Sequence, residues 1–338
     1  MLRTWLPFEQ PLVEVEEKIA DLRESEAEAP DKRRQARIAE LEDKAEELKR
    51  QVFSNLSSWE KVQLARHPRR PYTLDYLNII CDEFVELHGD RLYGDDGAVV
   101  GGLATVAGRP MVIFGHQKGR TTKERQSRNF GSAHPEGYRK ALRLLRMAEK
   151  FRWPAVSFVD TPAAACLEEA EARGISQAIA HSMKESFRIP VPIVVIVIGE
   201  GGSGGAIGMG VGDRILMLEY AIYSVIPPES CASIIWRDSA RAPEAAEALK
   251  LTSEDVLRLG IVDRVIPEPL GGSHRECYET AQRIKKELLA AVDDLEKLPA
   301  QELLRRRYLK FAAMGQFLDE RPPAASGDST PASAEGGS

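Results

Sequence analysis

The 338 residues predict an α/β fold in which pairs of strands alternate with helices. Three observations carry that reading. The continuous apolar run at 193–198, Ile-Val-Val-Ile-Val-Ile, has the character of a strand buried on both faces of a parallel sheet. Short β-branched runs at 98–106, 111–114, 155–160, 215–218, 221–225 and 261–266 are separated by segments of helical period. The length suits one large domain with appendages, or two small domains, and allows a sizeable core. A doubly wound sheet is the alternative arrangement of the same elements.

Taken in order, residues 1–60 predict an amphipathic helical hairpin. Within 13–52, 22 side chains are charged, yet Ile38, Leu41, Ala45, Leu48 and Val52 step by three and four as one apolar stripe. Val15, Ile19 and Leu22 begin a second stripe, and Pro30 separates the two. Such a stripe either caps the chain's own core or docks another subunit. Residues 61–318 predict the main domain. Its first helix is read over 73–87, with Leu74, Leu77, Cys81 and Phe84 on one side. Strands at 98–106 and 111–114 are joined by a turn at Gly108 and Arg109. A basic amphipathic helix over 137–151 turns Ala141, Leu144, Leu145 and Ala148 inward. A strand at 155–160 leads to one long helix over 167–187, then to the buried strand and a glycine-dense turn opening a short helix. Strands at 215–218 and 221–225, helices near 230–239 and 242–259, a strand at 261–266 and helices near 275–295 and 301–311 complete the domain. Residues 319–338 hold Pro, Gly, Ser and Ala with no apolar anchor, and a disordered tail is expected.

Composition excludes several classes. No run approaches 18 apolar residues, so no transmembrane helix is expected. The opening ten residues lack an apolar signal core, which predicts a cytoplasmic protein. A net charge of −6 argues against a generic nucleic-acid binder. Cys81, Cys166, Cys231 and Cys277 lie far apart, with no C-x-x-C, so neither a zinc ribbon nor a disulfide framework is expected. The six histidines form no H-x-x-x-H or H-E-x-x-H pair, and no metal site is expected. No G-K-[ST] motif is present, so ATP is not expected to bind.

The segment 199–206, Gly-Glu-Gly-Gly-Ser-Gly-Gly-Ala, carries the strongest chemical signal. Between a buried strand and a helix start, residues this small let backbone N–H groups approach a ligand, where the helix adds partial positive charge. Such a turn is a ready oxyanion hole. Gly199, Gly201 and Gly204 also spell G-x-G-x-x-G with Glu219 twenty residues on, but the following helix is too short for a βαβ crossover, so NAD is not expected. Gly201, Ser203 and Gly205 spell the G-x-S-x-G of a nucleophile elbow, with His274 as a conceivable base, yet nothing in the sequence brings His274 to Ser203. Residues 109–150 hold eleven Lys/Arg against three Asp/Glu. That surplus is either a solvated face paired with the acidic hairpin or a surface for an anionic substrate. With donors but no evident side-chain base, the segment suits chemistry in which the substrate supplies the base.

These motifs, with several longer blocks, resemble one family, the alpha subunit of bacterial acetyl-CoA carboxylase carboxyltransferase. The blocks are LARHPRRPYTLDY (64–76), VGGLA (100–104), GHQKGR (115–120), RNFG (128–131), PEGYRKALRL (135–144), GEGGSGGA (199–206), YSVIPPESCASI (223–234) and IPEPLGG (266–272). The resemblance implies a crotonase-like fold of stacked ββα units. It also implies a beta subunit of the same fold that carries the family's zinc ribbon, an α2β2 assembly, and work alongside biotin carboxylase and the biotin carboxyl carrier protein. The implied reaction moves the carboxyl group of carboxybiotin, delivered on the carrier, to acetyl-CoA, giving malonyl-CoA for fatty-acid synthesis. The biotin urea anion left after loss of CO2 would take a methyl proton, and the enolate would attack CO2.

By the same resemblance Gly204 and Gly205 are the donors to the biotin carbonyl, and a larger side chain at Gly205 is expected to enter the donor site. Gly201, Gly202, Ala163 and Ala164 would line the substrate, and Lys118 and Arg120 would contact anions. One stretch departs from the family: at 160–167 the usual D-T-P-G-A-Y-P-G reads Asp-Thr-Pro-Ala-Ala-Ala-Cys-Leu. If position 163 needs a positive φ, alanine there costs about 1 kcal/mol. A divergent paralogue, with a structural or regulatory role or a different acyl-CoA, is the alternative that this departure raises.

Overall fold

A computed structural model describes residues 5–28 and 31–315. The expected tail at 319–338 and the break assigned to Pro30 lie outside the described residues. Eight strands are present among those described: β1 (Glu83–Glu86), β2 (Val99–Val106), β3 (Arg109–His116), β4 (Ala155–Thr161), β5 (Ile193–Gly202), β6 (Arg214–Leu218), β7 (Ile222–Ser224) and β8 (Arg264–Ile266). They form one sheet in the order β1-β2-β3-β4-β5-β6-β8, with β7 joined to β5. The β1–β2 and β2–β3 pairs are antiparallel, and every other pair is parallel. Every residue of β4 and all of β5 but Gly202 are buried, as a covered parallel sheet requires.

Strand β5 positions the site. Its first half pairs with β6, Val194 to Val197 against Arg214 to Met217. Its second half pairs with β7, Glu200 to Gly202 against Ile222 to Ser224. On its other side β4 follows in register as far as Val159, then shifts so that Thr161 faces Gly201. The sheet thus changes partners where the glycine-dense segment begins. The β2–β3 hairpin and the helix Pro135–Phe151 behind it form a ββα unit, with Tyr138, Ala141, Leu144, Leu145 and Ala148 buried. The C-terminal helix Ala300–Ala312 is pinned by Arg307, which is fully buried: it donates to both Asp213 oxygens (2.9 and 2.6 Å) and to the carbonyls of Ser186, Ile189 and Val191.

Several boundaries differ from the sequence reading. The helix expected over 73–87 ends at Ile80, and Glu83–Glu86 forms edge strand β1, its alternating exposed and half-buried residues reflecting one open face. The long helix expected over 167–187 is split into Glu168–Ala172 and Ile175–Ser186, because Gly174 takes φ +79° between them. That over 242–259 divides at Lys250, itself left-handed, into Ala242–Leu249 and Ser253–Arg258. The β2–β3 turn is Ala107-Gly108, both at positive φ, and Arg109 is already paired.

The N-terminal hairpin comprises Gln10–Glu28 and Lys32–Phe53. Its stripes meet each other through Val15, Ile19 and Leu41, with Leu22, Ile38, Ala45 and Leu48 beside them. Its base docks on the body, where Leu12 and Phe53 pack with Leu64 and Tyr220. Among the described residues no helix is long and apolar enough to cross a membrane.

Candidate functional site

Strand β5 ends at Gly202 and a five-residue helix, Ser203–Ile207, begins at once. Gly202 is its N-cap and offers no side-chain oxygen, so the N–H groups of the first turn go without the usual cap. The close fit of this turn is set by two glycines. A Cβ on Gly202 would lie 2.0 Å from the Pro162 carbonyl oxygen, and one on Gly205 would lie 2.6 Å from the Ala163 carbonyl carbon. Gly204 differs: a Cβ there would meet only Ile179 Cδ1, at 3.6 Å. Gly201 is buried and pairs with Thr161 and Tyr223 on either side.

The structure therefore brings Gly201, Gly202, Gly204, Gly205, Ala163 and Ala164 together. The segment 162–165 rests directly on the glycine turn, tied by Thr161 Oγ1 donating to the Ala163 carbonyl (2.7 Å) and Ala165 N–H to the Ala133 carbonyl (2.9 Å). Ala163 has no positive φ, so the strain expected from replacing the family's glycine is absent. A side chain at Gly205 would press into the Ala163–Ala164 backbone rather than into the donor site, a correction to the sequence reading that follows from the direction of its Cβ. Beside the turn lies a largely apolar cavity of about 730 Å³, its lining including Ser203, Gly204, Phe187, Ile207, Tyr223 and Phe311.

Lys118 does not stand open to an anion. Its Nζ donates to Asp160 Oδ1 and Glu200 Oε2, both at 2.7 Å. Glu200 also accepts from Arg66 Nε (2.7 Å), and Arg66 reaches Glu229 (2.5 Å). Burial works against the Lys118 charge, but the two carboxylates outweigh it and raise its pKa. Burial raises the Asp160 pKa against the pull of Lys118, whereas Lys118 and Arg66 hold Glu200 below its usual range despite burial. Arg120 lies elsewhere, over the Tyr72 ring (4.8 Å) and paired with Asp75 (2.5 Å). Several other basic residues of 109–150 find local partners: Arg109 pairs with Asp293, Arg139 with Asp90 and Glu136, Lys140 with Asp95, and Arg146 with Glu185. These partners belong to the body and not, as one sequence reading had it, to the acidic hairpin.

The nucleophile-elbow motif lacks its companion among the described residues. Ser203 takes φ +50° at a strand–turn–helix junction, as in a nucleophile elbow, but no histidine lines the cavity. His274 is buried instead against Glu9, its Nε2 3.0 Å from Oε1. Among the described residues, Glu9, His67 and His274 are the one group whose ligand atoms cluster closely enough for a metal, within 4.8 Å of one another. Glu9 is already satisfied by His274, by Arg275 Nε and NH2 (3.1 and 3.0 Å) and by the Leu6 N–H (3.1 Å), and His67 Nδ1 accepts from the Arg69 N–H (3.1 Å). The group is a latch between the N-terminus and the body. The sequence reading missed the parts played by Glu200, Arg66 and Glu229. The only signal available was a carboxylate set among glycines at the end of an apolar strand.

Comparisons with known proteins agree with this architecture. A family model described as acetyl co-enzyme A carboxylase carboxyltransferase-like matches residues 5–315. The acetyl-coenzyme A carboxylase carboxyl transferase subunit alpha of Xanthomonas campestris pv. campestris (strain B100) is 52% identical over 313 residues, covering 93% of this chain and 98% of the relative. The protein of the same name from Acaryochloris marina (strain MBIC 11017) is 52% identical, covering 92% and 96%. Among solved structures, a Pseudomonas malonate decarboxylase hetero-tetramer in complex with coenzyme A aligns with a TM-score of 0.56 at 18% identity, covering 71% of this chain and 92% of that one. A transcarboxylase 12S crystal structure aligns at 0.55 and 19%, covering 78% and 46%. At such identities these two show the fold alone, which is crotonase-like, as the resemblance implied. The matched family model and the identity to both relatives place the chain in the acetyl-CoA carboxylase carboxyltransferase family, as an alpha subunit.

Proposed function

We propose that this chain transfers the carboxyl group of carboxybiotin, presented on the biotin carboxyl carrier protein, to acetyl-CoA within an α2β2 complex with its beta subunit. When bound, carboxybiotin supplies the carboxyl group and, once that group has left, the base. The chain's own contribution is donation. The N–H groups of Gly204 and Gly205 lie in the first turn of the short helix, where no intrahelical acceptor exists and the Gly202 cap supplies none. Removing one donor of this kind costs about 3–4 kcal/mol in general, because the donors are fixed before charge develops. The walls beside Gly204 are largely apolar, and an apolar surround strengthens bonds of this kind.

The observation that carries the reading is the uncapped first turn held against the 162–164 backbone at the edge of an apolar cavity. Acetyl-CoA is the substrate favoured, since relatives matched along nearly their whole length are named as subunits of an acetyl-coenzyme A carboxylase carboxyl transferase. The reading also places the work in the cytoplasm, with biotin carboxylase supplying the loaded carrier. It holds no metal, NAD or ATP in this subunit. The test is malonyl-CoA formation by the chain co-purified with the beta subunit of its own source. Turnover by the complex and by neither subunit alone is expected. A well-formed complex inert toward acetyl-CoA but active on another acyl-CoA, or on none, would overturn it and leave the divergent-paralogue reading.

A further inference from the structure

The buried charges behind the glycine turn form a chain that the transfer chemistry does not use. Asp160, on β4, sits inside the register shift between Val159 and Thr161. Glu200, on β5, lies where that strand changes partners from β6 to β7. Ladder pairing is interrupted here, and the Glu200 N–H turns to Asp160 Oδ1 (2.9 Å). Lys118, just beyond β3, reaches the same Asp160 oxygen and Glu200 Oε2 at 2.7 Å. Gly131 leaves the lysine stem its room, since a Cβ there would lie 2.7 Å from Lys118 Cγ. One ammonium therefore ties three neighbouring strand ends at a place where the sheet's own hydrogen bonds are interrupted, two residues before the donor turn.

We infer that Lys118 is a positioning residue: by bridging Asp160 and Glu200 it fixes the end of β5 against β4, and so holds the Gly204 and Gly205 N–H groups in place. The inference rests on the transfer reading for its kinetic consequence but not for its structural one. Two carboxylates left without the lysine would repel each other across the shifted register and move the turn. A misplacement of about 1 Å in an active site lowers turnover by roughly 100-fold in general. A buried lysine can also serve stability alone, and the test separates the two roles.

In the complex with the beta subunit, Lys118→Met is expected to lower kcat for malonyl-CoA formation at least tenfold, with KM for acetyl-CoA changed less than threefold. It is also expected to speed amide exchange across residues 199–206. Because Lys118→Met leaves an uncompensated buried charge, a second variant, Lys118→Met with Asp160→Asn, restores the charge balance. It is expected to recover most of the lost thermal stability without recovering kcat or the slow exchange. Recovery of kcat together with stability would assign Lys118 to charge balance alone and overturn the inference, as would wild-type kcat and exchange in Lys118→Met. If the wild-type complex itself forms no malonyl-CoA, the transfer reading fails while amide exchange still decides the positioning role.

Discussion

The N-terminal hairpin and the glycine turn are both held to the sheet, but by opposite means. The hairpin is attached through side chains: a modest apolar seam of Leu12, Phe53, Leu64 and Tyr220, and a buried latch in which Glu9 accepts from Arg275 and His274. Arg275 in turn holds Glu16 in a bidentate pair at 2.8 Å. The glycine turn is attached through backbone, with Gly202 and Gly205 lying on Pro162 and Ala163 closer than any side chain would allow. A side-chain latch can be opened by changing a charge. A backbone contact can be broken only by adding atoms.

The largest way to break the comparison is Arg275→Met. It leaves the fully buried Glu9 without its cation, and removing one partner of a buried pair costs about 3–5 kcal/mol. The hairpin, residues 10–53, is expected to gain fast amide exchange while residues 199–206 keep theirs. Faster exchange in both regions would show that the hairpin supports the turn. Next comes Gly205→Ala, whose methyl overpacks the 163–164 backbone. A loss of about 1–3 kcal/mol in denaturant midpoint analysis is expected, with the hairpin unmoved.

A pH change sharpens the contrast at smaller amplitude. Burial pushes the His274 pKa down, against the pull of Glu9, with Arg275 and Arg70 also opposing its charge. A folded pKa below the unfolded value near 6.5 means that this contribution is complete above 6.5 and is lost as the pH falls below it. Glu9 is held down to about 2: burial opposes its charge, but His274, the Leu6 N–H and Arg275 outweigh that, so its contribution persists above 4.5 and is lost only in stronger acid. Acidification from pH 7.5 to 5.5 should therefore speed exchange in the hairpin first, and equal acceleration at 199–206 would refute the latch. The smallest effect belongs to Gly204→Ala. Its Cβ has space, and replacing a helical glycine should stabilise by about 0.5–1 kcal/mol. A destabilised Gly204→Ala would mean that the first turn is packed more tightly than its open contact at Ile179 indicates.

Much of this was legible in the sequence because the signals were local. The run 193–198 announced a buried strand, and the glycines at 199–205 announced close backbone approach. The stripes of the hairpin were also legible, though they meet each other, where the sequence reading had them capping the core or docking another subunit. What was hidden depended on distant partners. Lys118 stood out as a functional residue, but its two carboxylates lie 42 and 82 positions away, and only the sheet brings them to it. Glu83–Glu86 read as helix because its apolar residues continued a helical stripe, and edge pairing with β2 overrode that pattern. The altered 160–167 loop looked like a liability in letters. In space Ala163 adopts an ordinary backbone and the turn still meets it.

The central claim is that the glycine turn, fitted by backbone contact against 162–164, is where carboxyl transfer is stabilised. It is tested most directly by measuring malonyl-CoA formation by the Gly204→Ala and Gly205→Ala complexes side by side with wild type. The account predicts turnover within about threefold of wild type for Gly204→Ala, since the N–H and the fit are kept, and a loss of roughly tenfold to 100-fold for Gly205→Ala, since the fit is lost. Equal rates for the two variants would contradict it.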